Sequence, residues 1–167
     1  MRTWLMGMVL AGCMCAATGV QAYDHPHRLG GGVNYWMTLE NLDEEFDENG
    51  LSYYASYQYK PSLFGLQVDL EVQPDRFEET AYAPQVHAVL GSGIYAAAGV
   101  GILYSDGEWA DDPFYSFKVG LDFELLPSLY LDINANYRFN DTADLSDSDR
   151  DIDTDTVFLG AALRFSF

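Results

Sequence analysis

After residue 22 the chain alternates apolar and polar residues with a period of two in eight segments, the pattern of a strand with one apolar and one polar face. The segments are Arg28–Leu39, Leu51–Lys60, Leu63–Gln73, Tyr82–Leu90, Ile94–Tyr104, Phe114–Leu125, Leu129–Asn140 and Thr156–Phe167. The seventh is the clearest, with Leu129, Leu131, Ile133, Ala135, Tyr137 and Phe139 on one face and Tyr130, Asp132, Asn134, Asn136, Arg138 and Asn140 on the other. The fourth contains Pro84, which lacks a ladder donor and predicts an edge, a bulge or a strand start there.

The connections alternate in length. Pro61-Ser62, Gly91-Ser92-Gly93 and Pro127-Ser128 carry turn residues, whereas Glu40–Gly50, Pro74–Ala81, Ser105–Pro113 and Asp141–Asp155 are long. Short and long connections therefore fall at opposite ends of a meander. Eight antiparallel strands in that order close on themselves and leave no free edge. The expected fold is all-β, an eight-stranded antiparallel up-and-down transmembrane barrel.

Alternation alone does not say which face is inside. A soluble lipocalin-like carrier puts apolar residues inward around a hydrophobic ligand, and a membrane barrel does the reverse. Three features favour the membrane. The segments have the length that crosses a bilayer at a tilt. Aromatics such as Tyr57, Tyr59, Tyr115, Phe117, Tyr137, Phe139, Phe165 and Phe167 gather near segment ends on the apolar face. The polar face mixes small residues with charges of both signs, as a narrow lumen requires. Its expected charge network is Arg28, Lys60, Lys118, Arg138 and Arg164 against Asp69, Glu71, Asp122, Glu124 and Asp132.

At the N-terminus, Arg2 precedes an apolar run from Trp4 to Val20, and Val20-Gln21-Ala22 places small residues where a signal peptidase cuts. The expected division is residues 1–22 as signal peptide and 23–167 as barrel. A retained helix competes weakly, because the run is at the lower limit for spanning. Leu10-Ala11-Gly12-Cys13 also has the form of a lipobox, which would make Cys13 a lipidated residue. Cleavage after Ala22 removes Cys13 and Cys15 and with them any disulfide or thiolate chemistry. The formal net charge of -18 argues against a nucleic-acid partner.

These features resemble the small outer-membrane barrels, the OmpA transmembrane domain and OmpX-like proteins, over essentially all of the chain beyond the signal. In such families the last strand is read as an assembly signal, and Leu163, Phe165 and Phe167 fit it. The glycine usual in that signal falls at Ala162, with Gly160 two places away. The resemblance implies termini and short turns in the periplasm and long connections outside. It implies as partners outer-membrane lipid and lipopolysaccharide and the assembly machinery, and loops held by a rigid scaffold offer a place for an extracellular partner.

The chemistry on offer is sparse. Acid concentrates in the first long connection (Glu40, Asp43, Glu44, Glu45, Asp47, Glu48) and the last (Asp141, Asp144, Asp147, Asp149, Asp151, Asp153, Asp155). Asp147-x-Asp149-x-Asp151 mimics the start of an EF-hand loop, but Ile152 and Phe158 stand where glycine and glutamate belong. Asp147, Asp149 and Asp151 are weak metal candidates, and the plainer reading is a solvated, mutually repelling surface. His87 falls in the inward register of the fourth strand, and His25 and His27 precede the first, so no histidine is placed for outer-leaflet chemistry. No cofactor motif is present: Gly30-Gly31-Gly32 opens no helix. Inward Trp36, Tyr54, Tyr95 and Phe158 would fill a lumen of this size. The expected role is structural or surface interaction, without catalysis. A narrow channel, a lipid A-modifying enzyme and a soluble carrier are the alternatives.

Overall fold

A computed structural model describes residues 25–38, 49–74, 80–105, 107–144 and 151–167, those at 140–144 and 151–154 as backbone alone. The strands are β1 (His27–Thr38), β2 (Asn49–Tyr59), β3 (Phe64–Gln73), β4 (Ala81–Ser92), β5 (Ile94–Gly101), β6 (Tyr104–Ser105), β7 (Glu108–Trp109), β8 (Phe114–Leu126), β9 (Leu129–Asp144) and β10 (Asp151–Ser166). β6 and β7 form a small hairpin pairing Tyr104 with Trp109. The other eight run β3-β2-β1-β10-β9-β8-β5-β4, and β3 pairs with β4, so the sheet closes into an eight-stranded antiparallel barrel. The shortest complete wall strands, such as the ten-residue β3, reach about 25 Å along the axis at the usual tilt. That equals the apolar band of a membrane barrel.

The period of two acts directly. In β2 exposed and buried residues alternate without a break from Leu51 to Tyr59, in β3 from Phe64 to Leu70, and β10 keeps the alternation to its end. Leu29, Val33, Leu66, Phe117, Leu163 and Phe165 face outward, while Arg28, Gln58, Glu71, Asn136 and Arg164 are buried. Soluble monomers rarely expose an apolar patch beyond roughly 300–600 Å². Here the apolar surface encircles the molecule, and the polar residues form the core. A lipocalin-like arrangement requires the opposite.

The structure departs from the sequence expectation in three places. Pro84 lies inside β4, in register with Leu70 of β3. Its carbonyl accepts from the amide of Ile102 at 3.2 Å, so its donor-free nitrogen faces the point where β5 leaves the ladder after Gly101. The connection expected at Ser105–Pro113 contains the β6–β7 hairpin. The last long connection is shorter than expected, because β9 and β10 pair beyond the barrel from Asp141 with Thr154 to Asp144 with Asp151. A register shift between Thr154 and Thr156 separates this ribbon from the wall.

Candidate functional site

The lumen collects the buried polar chemistry. Near the short turns, Arg28 Nη1 lies 2.5 Å from Asp122 Oδ2 and Lys60 Nζ lies 3.8 Å from the same oxygen. The Arg28 guanidinium also sits 3.8 Å from the centre of the Tyr130 ring. Further along, Arg164 Nη1 is 3.0 Å from Asp132 Oδ2, and Lys118 Nζ is 3.0 Å from Asp69 Oδ2. Gln67 links this level to the one before by donating to Asp69 and accepting from Gln58, which sits beside Arg28. Nearer the long connections, Glu71 accepts from Asn34 at 2.9 Å, from Gln85 at 3.2 Å, and from Ser52 and Arg138. Four donors occupy the acceptor sites of a carboxylate. Each ion loses its hydration at a cost of several kcal/mol, and the pairing supplies the attraction that opposes this cost.

Nine of the ten residues expected in the interior network are buried; Glu124 is not. It is exposed at the end of β8, where Oε1 accepts from the amide of Ser128 at 3.0 Å. That bond holds a turn in which Ser128 has a φ of 68°, a left-handed conformation unusual for serine. Glu124 keeps the inward register, paired with Tyr130, but stands at the barrel's short-turn end, just before the register slips between Glu124 and Leu126. Among the described residues, five buried Lys and Arg thus face four buried carboxylates.

Sequence periodicity did not reveal a three-residue constellation that the fold assembles. Ser116 Oγ is 2.9 Å from His87 Nε2, and His87 Nδ1 is 3.6 Å from Asp69 Oδ2. The residue types are those of a hydrolase triad, but the geometry fails on two counts. The histidine–carboxylate distance exceeds a hydrogen bond, since Lys118 takes that oxygen. All three residues are at most 1% exposed, so the hydroxyl is packed within the lumen. The constellation packs the lumen.

Among the described residues, an apolar cluster caps the lumen at the end with the long connections. Leu103 and Ala110 bend inward, joined by the amide of Ala110 donating to the carbonyl of Leu103 at 2.9 Å. They pack with Ala81, Ala83 and Phe114. Trp36 and Phe158, partners across the β1–β10 seam, fill the lumen as well. Arg138 lies 4.7 Å and 4.0 Å from the ring centres of Phe114 and Phe158, so the uppermost charge is roofed by aromatic faces.

Aromatic rings also mark both ends of the outer wall. At the short-turn end, the His27 ring stands between Tyr59 and Phe167 at 5.1 Å and 5.8 Å, and the Tyr57 hydroxyl is 2.7 Å from His27 Nδ1. At the other end, Phe139 meets Tyr115, Phe117 and Tyr137, while Tyr104 bridges Tyr82 and Trp109. Leucine, valine and alanine lie between. Apolar belt, paired rings at both rims and a charged interior together require hydrocarbon outside.

The fold is that of the small eight-stranded membrane barrels. No protein-family model and no curated protein sequence matches the chain. Among solved structures it is similar to Neisserial surface protein A (NspA), with a TM-score of 0.65 and 13% identity over 85% of this chain and 97% of that one. It is also similar to outer membrane protein AlkL in lipid bilayers, with a TM-score of 0.52 and 14% identity over 90% and 94%. A de novo designed transmembrane β-barrel matches with a TM-score of 0.51 and 12% identity over 86% and 99%.

Leu163, Phe165 and Phe167 all lie on the outer face of β10 or just beyond it, each about half exposed. Asp147 and Asp149, like the acids of the first long connection and the proposed signal segment, lie outside the described residues, and Asp151 is described as backbone at the tip of the ribbon. Among the described residues no three His, Cys, Asp or Glu side chains converge as metal ligands.

Proposed function

We propose that this protein is an outer-membrane barrel that holds acidic connections at the cell surface, in a structural or surface-interaction role without catalysis. The observation that carries this reading is the filled and capped lumen. With charge pairs packed through the interior and Leu103, Ala110 and Phe114 across one end, the barrel serves as an anchor. Function then rests with the segments it displays, as is usual for loops on a rigid scaffold. The β9–β10 ribbon supports this, since it lifts aspartates beyond the wall, with Asp144 directly opposite Asp151. Such like-charge pairs do nothing for the fold and suit a solvated or partner-facing surface.

In this reading residues 1–22 are a signal peptide removed on export, and Leu163, Phe165 and Phe167 are presented to the assembly machinery. Outer-membrane lipid and lipopolysaccharide surround the belt. The test is fractionation with surface labelling. An epitope inserted between residues 145 and 150 should be labelled on intact cells, and the outer-membrane protein should migrate differently on SDS gels before and after boiling. Recovery from the soluble periplasm without a mobility shift overturns the proposal. A changed lipid A mass on overexpression overturns its non-catalytic part.

A further inference from the structure

The outer wall has a defect with a defined shape. β5 ends at Gly101 while β4 continues past it to Ala81, and Leu103 turns into the lumen before Tyr104 pairs again with Tyr82. The missing stretch of wall leaves a notch of about 320 Å³, open to the outside and lined almost wholly by carbon. Val68, Pro84, Val86, Val100, Ile102 and Pro113 form it. Proline rings and β-branched side chains have few alternative conformations, so the notch is preformed. Its floor is sealed, because Ile102 packs against the buried cluster of Ala83, Leu103 and Phe114 on the lumen side. It is a cul-de-sac and not a passage through the wall.

A furrow runs from the notch toward the short turns. In one row across the wall the outward residues are Leu66, Ala88, Ala98 and Phe117, a large–small–small–large profile. In the next row, Ala96 lies between Leu90 and Val119. The furrow opens into the apolar belt along its length. Beyond the notch, at the rim, stand Tyr82, Tyr104 and Trp109, with ring centres 6.5 Å and 4.9 Å apart. Amphipathic rings of this kind sit at headgroup level.

We propose that notch and furrow form a binding site for one acyl chain of a bilayer lipid, held along β4 and β5 with its headgroup at the Tyr82–Tyr104–Trp109 cluster. The site is long, narrow, apolar and parallel to the wall, the shape of a single hydrocarbon chain. An empty recess here forfeits dispersion contacts along its whole lining, and an acyl chain restores them. The flanking ridges and fixed prolines distinguish this chain from lipid elsewhere around the barrel. The proposal rests on the membrane reading above.

The test uses the full chain refolded in phosphatidylcholine vesicles containing a small fraction of phosphatidylcholine with a photoactivatable diazirine in its acyl chain. After illumination, peptide mapping locates the cross-links. Cross-linking to β4, β5 and residues 102–113 should exceed that at the equally apolar outer face of β10, around Leu159 and Leu163, by several-fold. Ala98→Phe, which fills the furrow from outside, should reduce the excess to the level of the rest of the wall, and Leu159→Phe should leave it intact. Ala88→Phe gives the same readout should Ala98→Phe fail to show the heat-dependent gel shift of a folded barrel. An even distribution of cross-links overturns the site while the membrane reading stands. No cross-link on any strand overturns both.

Discussion

The amide of Phe167 donates to the carbonyl of His27 at 2.9 Å, and the two rings stack with centres 5.8 Å apart. The chain end is thus fastened beside the first residue of β1, on the seam where β1 and β10 close the barrel from Arg28–Ser166 to Thr38–Thr156. The bond uses backbone, so Phe167→Ala keeps it and removes only an outward ring. That variant should refold into vesicles to nearly the wild-type extent while yielding markedly less heat-modifiable protein in cells, because the lost ring belongs to the proposed assembly signal. Equal losses in both assays would reduce Phe167 to a packing residue.

Glu71 receives Arg138 together with three neutral donors, all buried. Removing one partner of a buried ion pair leaves an uncompensated charge and costs about 3–5 kcal/mol. Glu71→Ala should therefore lower the unfolding free energy from urea titration in vesicles by that amount, and Arg138→Met added to it should recover part of the loss. A double variant no better than the single would show that the cost comes from the neutral donors and not from the ion pair.

How far the sequence went depended on whether a feature is periodic. The wall was legible because each strand must satisfy lipid on one side and a narrow lumen on the other, so inward residues such as Asp69 and Glu71 alternate with outward Val68 and Leu70. Glu124 keeps the expected inward register but is exposed, because at the last pair before the turn an inward register no longer means burial. The β9–β10 ribbon was missed because its aspartates read as loop, and its strands are defined by pairing with each other. The lid of Leu103 and Ala110 and the Asp69–His87–Ser116 contacts depend on residues distant in sequence, which no local pattern encodes.

Gly120 lies beneath the ring of Tyr95, and a β-carbon there would stand 2.7 Å from three atoms of that side chain. Overpacking of this kind typically costs about 1–3 kcal/mol. Gly120→Ala should destabilise the barrel in that range, and Tyr95→Leu should relieve much of it, since the shorter side chain clears the site. Unfolding free energies in vesicles for the two single variants and the double give the coupling directly.

Ser116→Ala tests whether the buried triad-like contacts do chemistry. Loss of a buried hydrogen bond to His87 should cost about 1–3 kcal/mol of stability. Hydrolysis of lipid esters by the purified barrel should not change beyond the drift of an empty-vesicle control. A reproducible wild-type activity abolished by Ser116→Ala would mean that substrate enters a lumen the fold shows as packed, and the non-catalytic reading would fall.

The cap over the lumen makes the strongest demand on conductance. Leu103 and Phe114 are only 2% and 1% exposed and contribute the bulk of the lid, since the other buried members of the cluster are alanines. Wild-type protein in planar bilayers should give no sustained current steps, because ions would have to cross both this layer and the paired charges beneath it. Leu103→Ala with Phe114→Ala removes the bulk of the lid, including one ring over Arg138, and leaves the Arg138–Glu71 pair in place. Discrete steps in the double variant, absent from wild type, would locate the barrier in the lid. Silence in both would place it in the ion-paired layers, where water is excluded by packing and not by apolar surface. Steps of equal size in wild type and variant would mean that neither layer is closed, and the barrel would then have to be counted as a channel.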